Sequence, residues 1–288
     1  MSSRQDAMER RAEAAGAEWP VWWLVFKREL AELWIGGRAL NLLILFSVLM
    51  SITAFLLATN NELSLTPPKL TVVTTLQATM TFGLFIGLVI AAESITGERE
   101  RATLEPLLLT PTNRREIVFG KFVAALSPWP VAMILAIPYL TVLSQGDPVL
   151  APALLWGAML GTLVTIAFTG VGMLASIWSA SNRTSLFVSL LVYLLALLPA
   201  QLPGEFQATP VGALIQATNP LEAVRLFLQR HLVEGQTLDE VRALLVAPTL
   251  VLVAILALLL WYAAPRLGLE RSTGNISRLM PRRMEATR

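Results

Sequence analysis

The sequence predicts an all-α membrane protein with six transmembrane helices, and three observations carry that prediction. Hydrophobic residues make up 55% of the 288 residues and charged ones only 15%, whereas soluble domains carry about 25% charged residues. The apolar residues gather into six stretches, at roughly 39–59, 70–92, 117–143, 153–178, 184–200 and 246–264, each near the ~20 residues that cross a bilayer core as a helix. The charges are displaced to the segments between them, most densely into one run from Glu93 to Lys121.

Composition also closes several routes to function. There is no cysteine and a single histidine, His231, so thiolate sites and an imidazole metal cluster within one chain are excluded. No metal site is expected: Met50, Met80, Met133, Met159 and Met173 are scattered singly, as packing methionines are. A net charge of +2 is too small for a nucleic-acid binder. Ionisable groups are nearly absent from the middle of the spans, although function is the usual reason to accept their cost there. That argues against a proton-coupled carrier and against an intramembrane hydrolase, which needs a nucleophile and a base. No catalytic residue is expected, and the path suits a lipidic or amphipathic cargo.

In chain order, residues 1–18 have no apolar face or h-region and read as a cytosolic tail rather than a signal peptide. Residues 19–37 follow as an amphipathic interfacial helix. Trp23, Phe26, Leu30, Leu33 and Trp34 fall on one arc, with Arg28, Glu29 and Glu32 opposite, the pattern of a helix lying among headgroups. Gly36-Gly37 provides the turn into the six-span domain, 38–264. The second span is the most polar: Thr74, Gln77 and Thr81 recur at i, i+3, i+7. This stripe reads either as a cargo or dimer surface or as interhelical hydrogen bonding within one subunit. Gly83 and Gly87 favour close helix approach. Pro128, Pro130 and Pro138 predict a kinked third span.

The connection between the fifth and sixth spans, 201–245, carries helix-start signals. Thr209-Pro210 and Asn219-Pro220 place a capping side chain before proline, and Thr237 with Glu240 forms a capping box. Leu221, Val224, Leu228 and Leu232 share a face. Short outer helices follow, and Pro199, Pro203 and Gly204 suit a re-entrant path. Residues 265–288 form a basic cytosolic tail. Eighteen of the 22 Lys and Arg residues fall on the side of the two ends, which by the positive-inside rule is the cytosol. The expectation is a multi-pass protein of the plasma or inner membrane.

The run from Glu93 to Lys121, which holds the coupling loop 93–116, sets Leu104, Leu107, Leu108 and Leu109 among five basic and five acidic residues. A small apolar patch with a polar rim is the composition of a docking contact. Asn113 with Glu116 caps the third span, so that a push on the loop would enter a stiff rod.

The run ERERATLEPLLLTPTNRREIVFGK resembles the loop signature of permease subunits of ABC type-2 transporters. The matching positions are Glu98, Arg99, Glu100, Thr103, Leu104, Glu105, Leu107, Leu108, Thr110, Pro111, Glu116, Gly120 and Lys121. Ala102 departs where glycine is common, and Pro106 departs between Glu105 and the leucines. The resemblance extends to the whole layout of surface helix, six spans and outer helices. It implies a cytosolic coupling helix between spans 2 and 3 that docks on a separate ATP-binding cassette subunit. Docking is expected at Glu98, Arg99, Glu100, Thr103, Leu104, Glu105, Leu107, Leu108 and Thr110. It further implies a second permease copy, a surround of membrane lipids, and export rather than uptake. The chain has no GxxxxGK[ST] loop, so no cofactor is expected on it, and ATP with magnesium is assigned to the partner. A non-transporting scaffold or sensor, or an ATP-independent carrier, is the alternative. Cargo-stimulated ATP hydrolysis separates transport from scaffolding.

Overall fold

A computed structural model of the chain describes residues 20–59, 67–103, 113–202, 205 and 209–267. Among the described residues there are helices and no strand, and six helices are long and apolar enough to cross a membrane. The expected tails, 1–18 and the region beyond Leu267, lie outside the described residues, as do Pro203 and Gly204.

Helix α1 (Val21–Ile35) comes first. Gly37, at φ +75°, turns the chain into α2 (Arg38–Thr59), a left-handed conformation that costs glycine least. Then α3 (Pro68–Glu93) returns and leads through Ser94–Ile95 into the one-turn α4 (Thr96–Glu100). The third span is two helices, α5 (Arg114–Leu126) and α6 (Pro128–Ser144). Long α7 (Leu150–Trp178) and α8 (Asn182–Leu197) follow. Next come α9 (Pro210–Thr218), α10 (Pro220–Leu228) and α11 (Leu238–Val241), then α12 (Val246–Ala257), whose last turns widen over Leu258–Ala263.

Two spans are central. In their most apolar stretches 61% of α3 and 67% of α7 is buried inside the chain, against 17%, 22% and 11% for α2, α8 and the last span. Those outer spans keep many of their leucines and phenylalanines exposed, among them Phe55, Phe187 and Leu250, as lipid-facing or partner-facing helices do. Small residues bring α3 and α7 together: a Cβ on Gly172 would collide with the Leu88 carbonyl oxygen, and one on Gly87 would lie 2.7 Å from Thr169 Oγ1. The ring of Trp129 on α6 fills a slot between Gly83 of α3 and Gly161 of α7, and its indole N–H donates to Thr162 Oγ1 at 2.9 Å. The Gly83/Gly87 pair thus receives two different helices, α6 and α7, rather than one.

Two expectations need correction. The third span is not one stiff rod but is interrupted at the first of the prolines from which a kink is predicted: Ser127 separates α5 from α6 immediately before Pro128, where proline has no N–H to continue the ladder. Glu29 is not a solvent-side charge of α1, because it faces α5 and pairs with a buried lysine. The helix-start signals, by contrast, all form. Thr209 Oγ1 accepts from Gly212 N, Asn219 Oδ1 from the N–H groups of Leu221 and Glu222, and Thr237 with Glu240 closes a capping box. Val224, Leu228 and Leu232 are buried, as their spacing requires.

Candidate functional site

The charged residues beside the loop converge at the end of the bundle that carries α1, here called the near end. At its centre is Lys121, whose side chain is 1% exposed. Its Nζ lies 2.6 Å from Glu29 Oε1 of α1 and 2.9 Å from Glu98 Oε1 of α4, and donates to the Ser94 carbonyl at 3.3 Å. A buried ammonium persists only when paired and hydrogen-bonded, and here three acceptors, from α1, α4 and the α3–α4 link, meet it. Gly120, one residue earlier, makes the approach feasible: a Cβ there would lie 2.6 Å from the Trp22 carbonyl oxygen of α1. Trp22 packs edge-on against Phe119 with ring centroids 5.5 Å apart, and Trp34 Nε1 donates to Ser127 Oγ at 3.1 Å. Helix α1 is thereby fastened along α5 up to the break in the third span.

The neighbouring motif residues hold a second junction. The Arg99 guanidinium donates to the Ser179 carbonyl, and at 3.5 Å to that of Ile177, at the C-terminus of α7. Glu100 Oε1 accepts from Asn182 N at 2.7 Å, at the N-terminus of α8. A cation therefore faces the negative end of one helix dipole while its neighbour, an anion, faces the positive end of the next. Buried Ser176 Oγ accepts from the N–H groups of Ile95 and Thr96 at 3.0 Å each, and Thr96 Oγ1 donates to Asn182 Oδ1 at 3.0 Å. The turn after α3 is thus pinned to the α7–α8 turn. Arg38 pairs with Glu93, and Arg101 with Glu32 across an exposed 3.1 Å contact.

Helix α4 ends in a Schellman motif: Thr103 N donates to the Glu98 carbonyl and Ala102 N to that of Arg99. The motif needs a left-handed residue at Ala102, and its φ is 57°. This is the position where the sequence departs from glycine, and the geometry shows what glycine would do there. Beyond Thr103, the expected docking residues Leu104, Glu105, Leu107, Leu108 and Thr110, with Pro106, lie outside the described residues. Asn113 does cap α5, accepting from Arg115 N at 3.1 Å.

The polar stripe on α3 leads to a second site at the opposite, far end. Thr74, Gln77 and Thr81 line a cavity of about 340 Å³ together with the end of α8 and helix α10. Gln77 Nε2 donates to the Arg225 carbonyl at 3.4 Å. Glu222, 3% exposed, and Arg225 enter from α10, with Arg225 Nε 3.2 Å from Glu222 Oε2. The stripe was legible as helical spacing. Glu222 was missed, since a single acidic residue at the start of an outer helix looks like an ordinary first-turn charge.

Among the described residues no cluster of His, Cys, Asp or Glu is arranged to hold a metal ion. No curated protein matches the chain. A family model described as ABC-2 family transporter protein matches residues 23–267, a region that takes in all but the first two residues of α1 and all six spans. The chain is therefore a multi-pass membrane protein belonging to the ABC-2 family of transporter proteins.

Proposed function

We propose that this chain is the permease subunit of an ATP-driven exporter of hydrophobic or amphipathic molecules, moved by a separate ATP-binding subunit that docks on the loop after Thr103. In this reading the near end and both termini are cytosolic, in keeping with the bias of Lys and Arg residues. Helix α1 rests at the membrane interface on that side. A second copy, identical or not, completes the pathway, and ATP and magnesium bind the partner.

The observation that carries the reading is the mounting of the loop. Lys121 ties α4 to α1 and α5, and Arg99 and Glu100 tie it to the ends of α7 and α8. A displacement delivered to the loop therefore reaches four helices at once through short polar contacts rather than through flexible chain. We assign Leu104, Glu105, Leu107, Leu108 and Thr110 to the docking surface, with Glu98, Arg99, Glu100 and Thr103 as its rigid base. The test is to replace Leu104, Leu107 and Leu108 by Asp. Loss of co-purification with the ATPase, and of cargo-stimulated ATP hydrolysis, is expected. Full retention of both would refute the docking assignment.

A further inference from the structure

The far-end cavity contains a polar group with no partner. Glu222 is 3% exposed and lines the cavity; Oε2 faces Arg225, while Oε1 is buried without a hydrogen bond. An unsatisfied buried carboxylate oxygen is expensive and invites a ligand that donates to it. Arg225, Thr74 and Gln201 also line the cavity, and two further groups beside Glu222 offer it an accepting oxygen. The Thr81 hydroxyl donates its hydrogen bond to the Gln77 backbone carbonyl at 2.8 Å, so toward a ligand its oxygen is an acceptor. One of the two Gln77 amide N–H groups donates to the Arg225 carbonyl, and the side-chain oxygen is that group's accepting atom. Around them the walls are apolar, with Ala78, Leu197, Leu221 and Leu228. At about 340 Å³ the space falls within the range of small-molecule sites, roughly 300–1,000 Å³.

From these features we propose that the far-end cavity binds amphipathic molecules through a primary ammonium head, received by Glu222 Oε1 with Thr81 and Gln77 as further acceptors. A primary ammonium brings three N–H donors and no acceptor, one for each of the oxygens of Glu222, Thr81 and Gln77. Its positive charge faces a carboxylate whose one counter-charge, Arg225, is partly open to solvent. The alkyl portion lies along the apolar wall. An anionic head brings no donor to the free carboxylate oxygen, and Arg225 is already paired with Glu222 Oε2. The inference deepens the transport reading, on which the description of this ligand as cargo rests; the binding site itself does not depend on ATPase docking.

The test uses the full chain in nanodiscs without any ATPase, titrated calorimetrically with octylammonium, octyltrimethylammonium and octyl sulfate, with empty nanodiscs subtracted. Octylammonium is expected to saturate at one per chain and to bind at least roughly tenfold more tightly than octyltrimethylammonium, which keeps the charge but has no N–H donor. Octyl sulfate should show no saturable binding. Glu222→Met should abolish the preference for the primary amine. Equal affinities of the two cations, saturable sulfate binding, or a preference that survives in folded Glu222→Met would each overturn the proposal. If the variant does not fold, the comparison among the three probes on the parent chain decides. Absence of amine selectivity in the parent chain with intact ATPase docking would reject the cavity assignment alone, and the converse would reject the docking assignment alone.

Discussion

Replacing Lys121 by Met removes the charge at the near-end junction while nearly keeping the side chain's volume. The ammonium is 1% exposed and its carboxylate partners 13% and 11%, so little solvent is available to screen what remains. Glu29 and Glu98 would then face each other across the emptied position, at most about 5.5 Å apart as the sum of the two contact lengths. At an effective dielectric of about 20, two like charges at that separation repel by on the order of 3 kcal/mol. Removing one partner of a buried pair costs a comparable ~3–5 kcal/mol. The two figures describe the same loss and are not summed. Reversible unfolding in mixed micelles should register it. The triple variant Lys121→Met, Glu29→Gln, Glu98→Gln should recover most of the stability, because no uncompensated charge is left. A single variant within about 1 kcal/mol of the parent, well below the loss for a broken buried pair, would refute the reasoning. So would a triple variant no more stable than the single one.

Ala102→Gly should stabilise the chain by roughly 1 kcal/mol, since a left-handed conformation costs an L-residue about that much; Ala102→Val should do the reverse in the same unfolding assay. Gly172→Ala places a Cβ against the Leu88 carbonyl oxygen and should cost about 1–3 kcal/mol by forcing α3 and α7 apart, with a matching loss of cross-linking between cysteines introduced on the two helices. Burial raises the Glu222 carboxyl above its ordinary value of 4.5, with Arg225 opposing the shift. The folded state therefore holds the proton more tightly than the unfolded one, and the stability this contributes is lost as pH rises from 4.5 through the raised value. Titrating unfolding against pH should show that decline in the parent and a flatter profile in Glu222→Gln.

The fold was legible because a bilayer imposes length and hydropathy on each helix independently. The stretch at 39–59 already marks α2 (Arg38–Thr59), and that at 153–178 marks most of α7. Caps were equally legible, since Thr209, Asn219 and Thr237 each satisfy backbone groups within three residues of themselves. Lys121 was legible only as a motif letter. Nothing local shows that an ammonium near the start of an apolar span meets Glu29, 92 residues away in sequence. The same holds for Arg99 and Glu100, whose partners at Ser179 and Asn182 lie about 80 positions on.

What the sequence determined by itself is the number of spans, the sites of helix initiation and the crowding of charge into one loop, because each depends on neighbours along the chain. What only the tertiary structure decided is which charges are buried together and which oxygen of Glu222 is left without a donor. Those outcomes depend on helices that meet through space, and pairing between distant residues leaves no periodic trace in a single sequence.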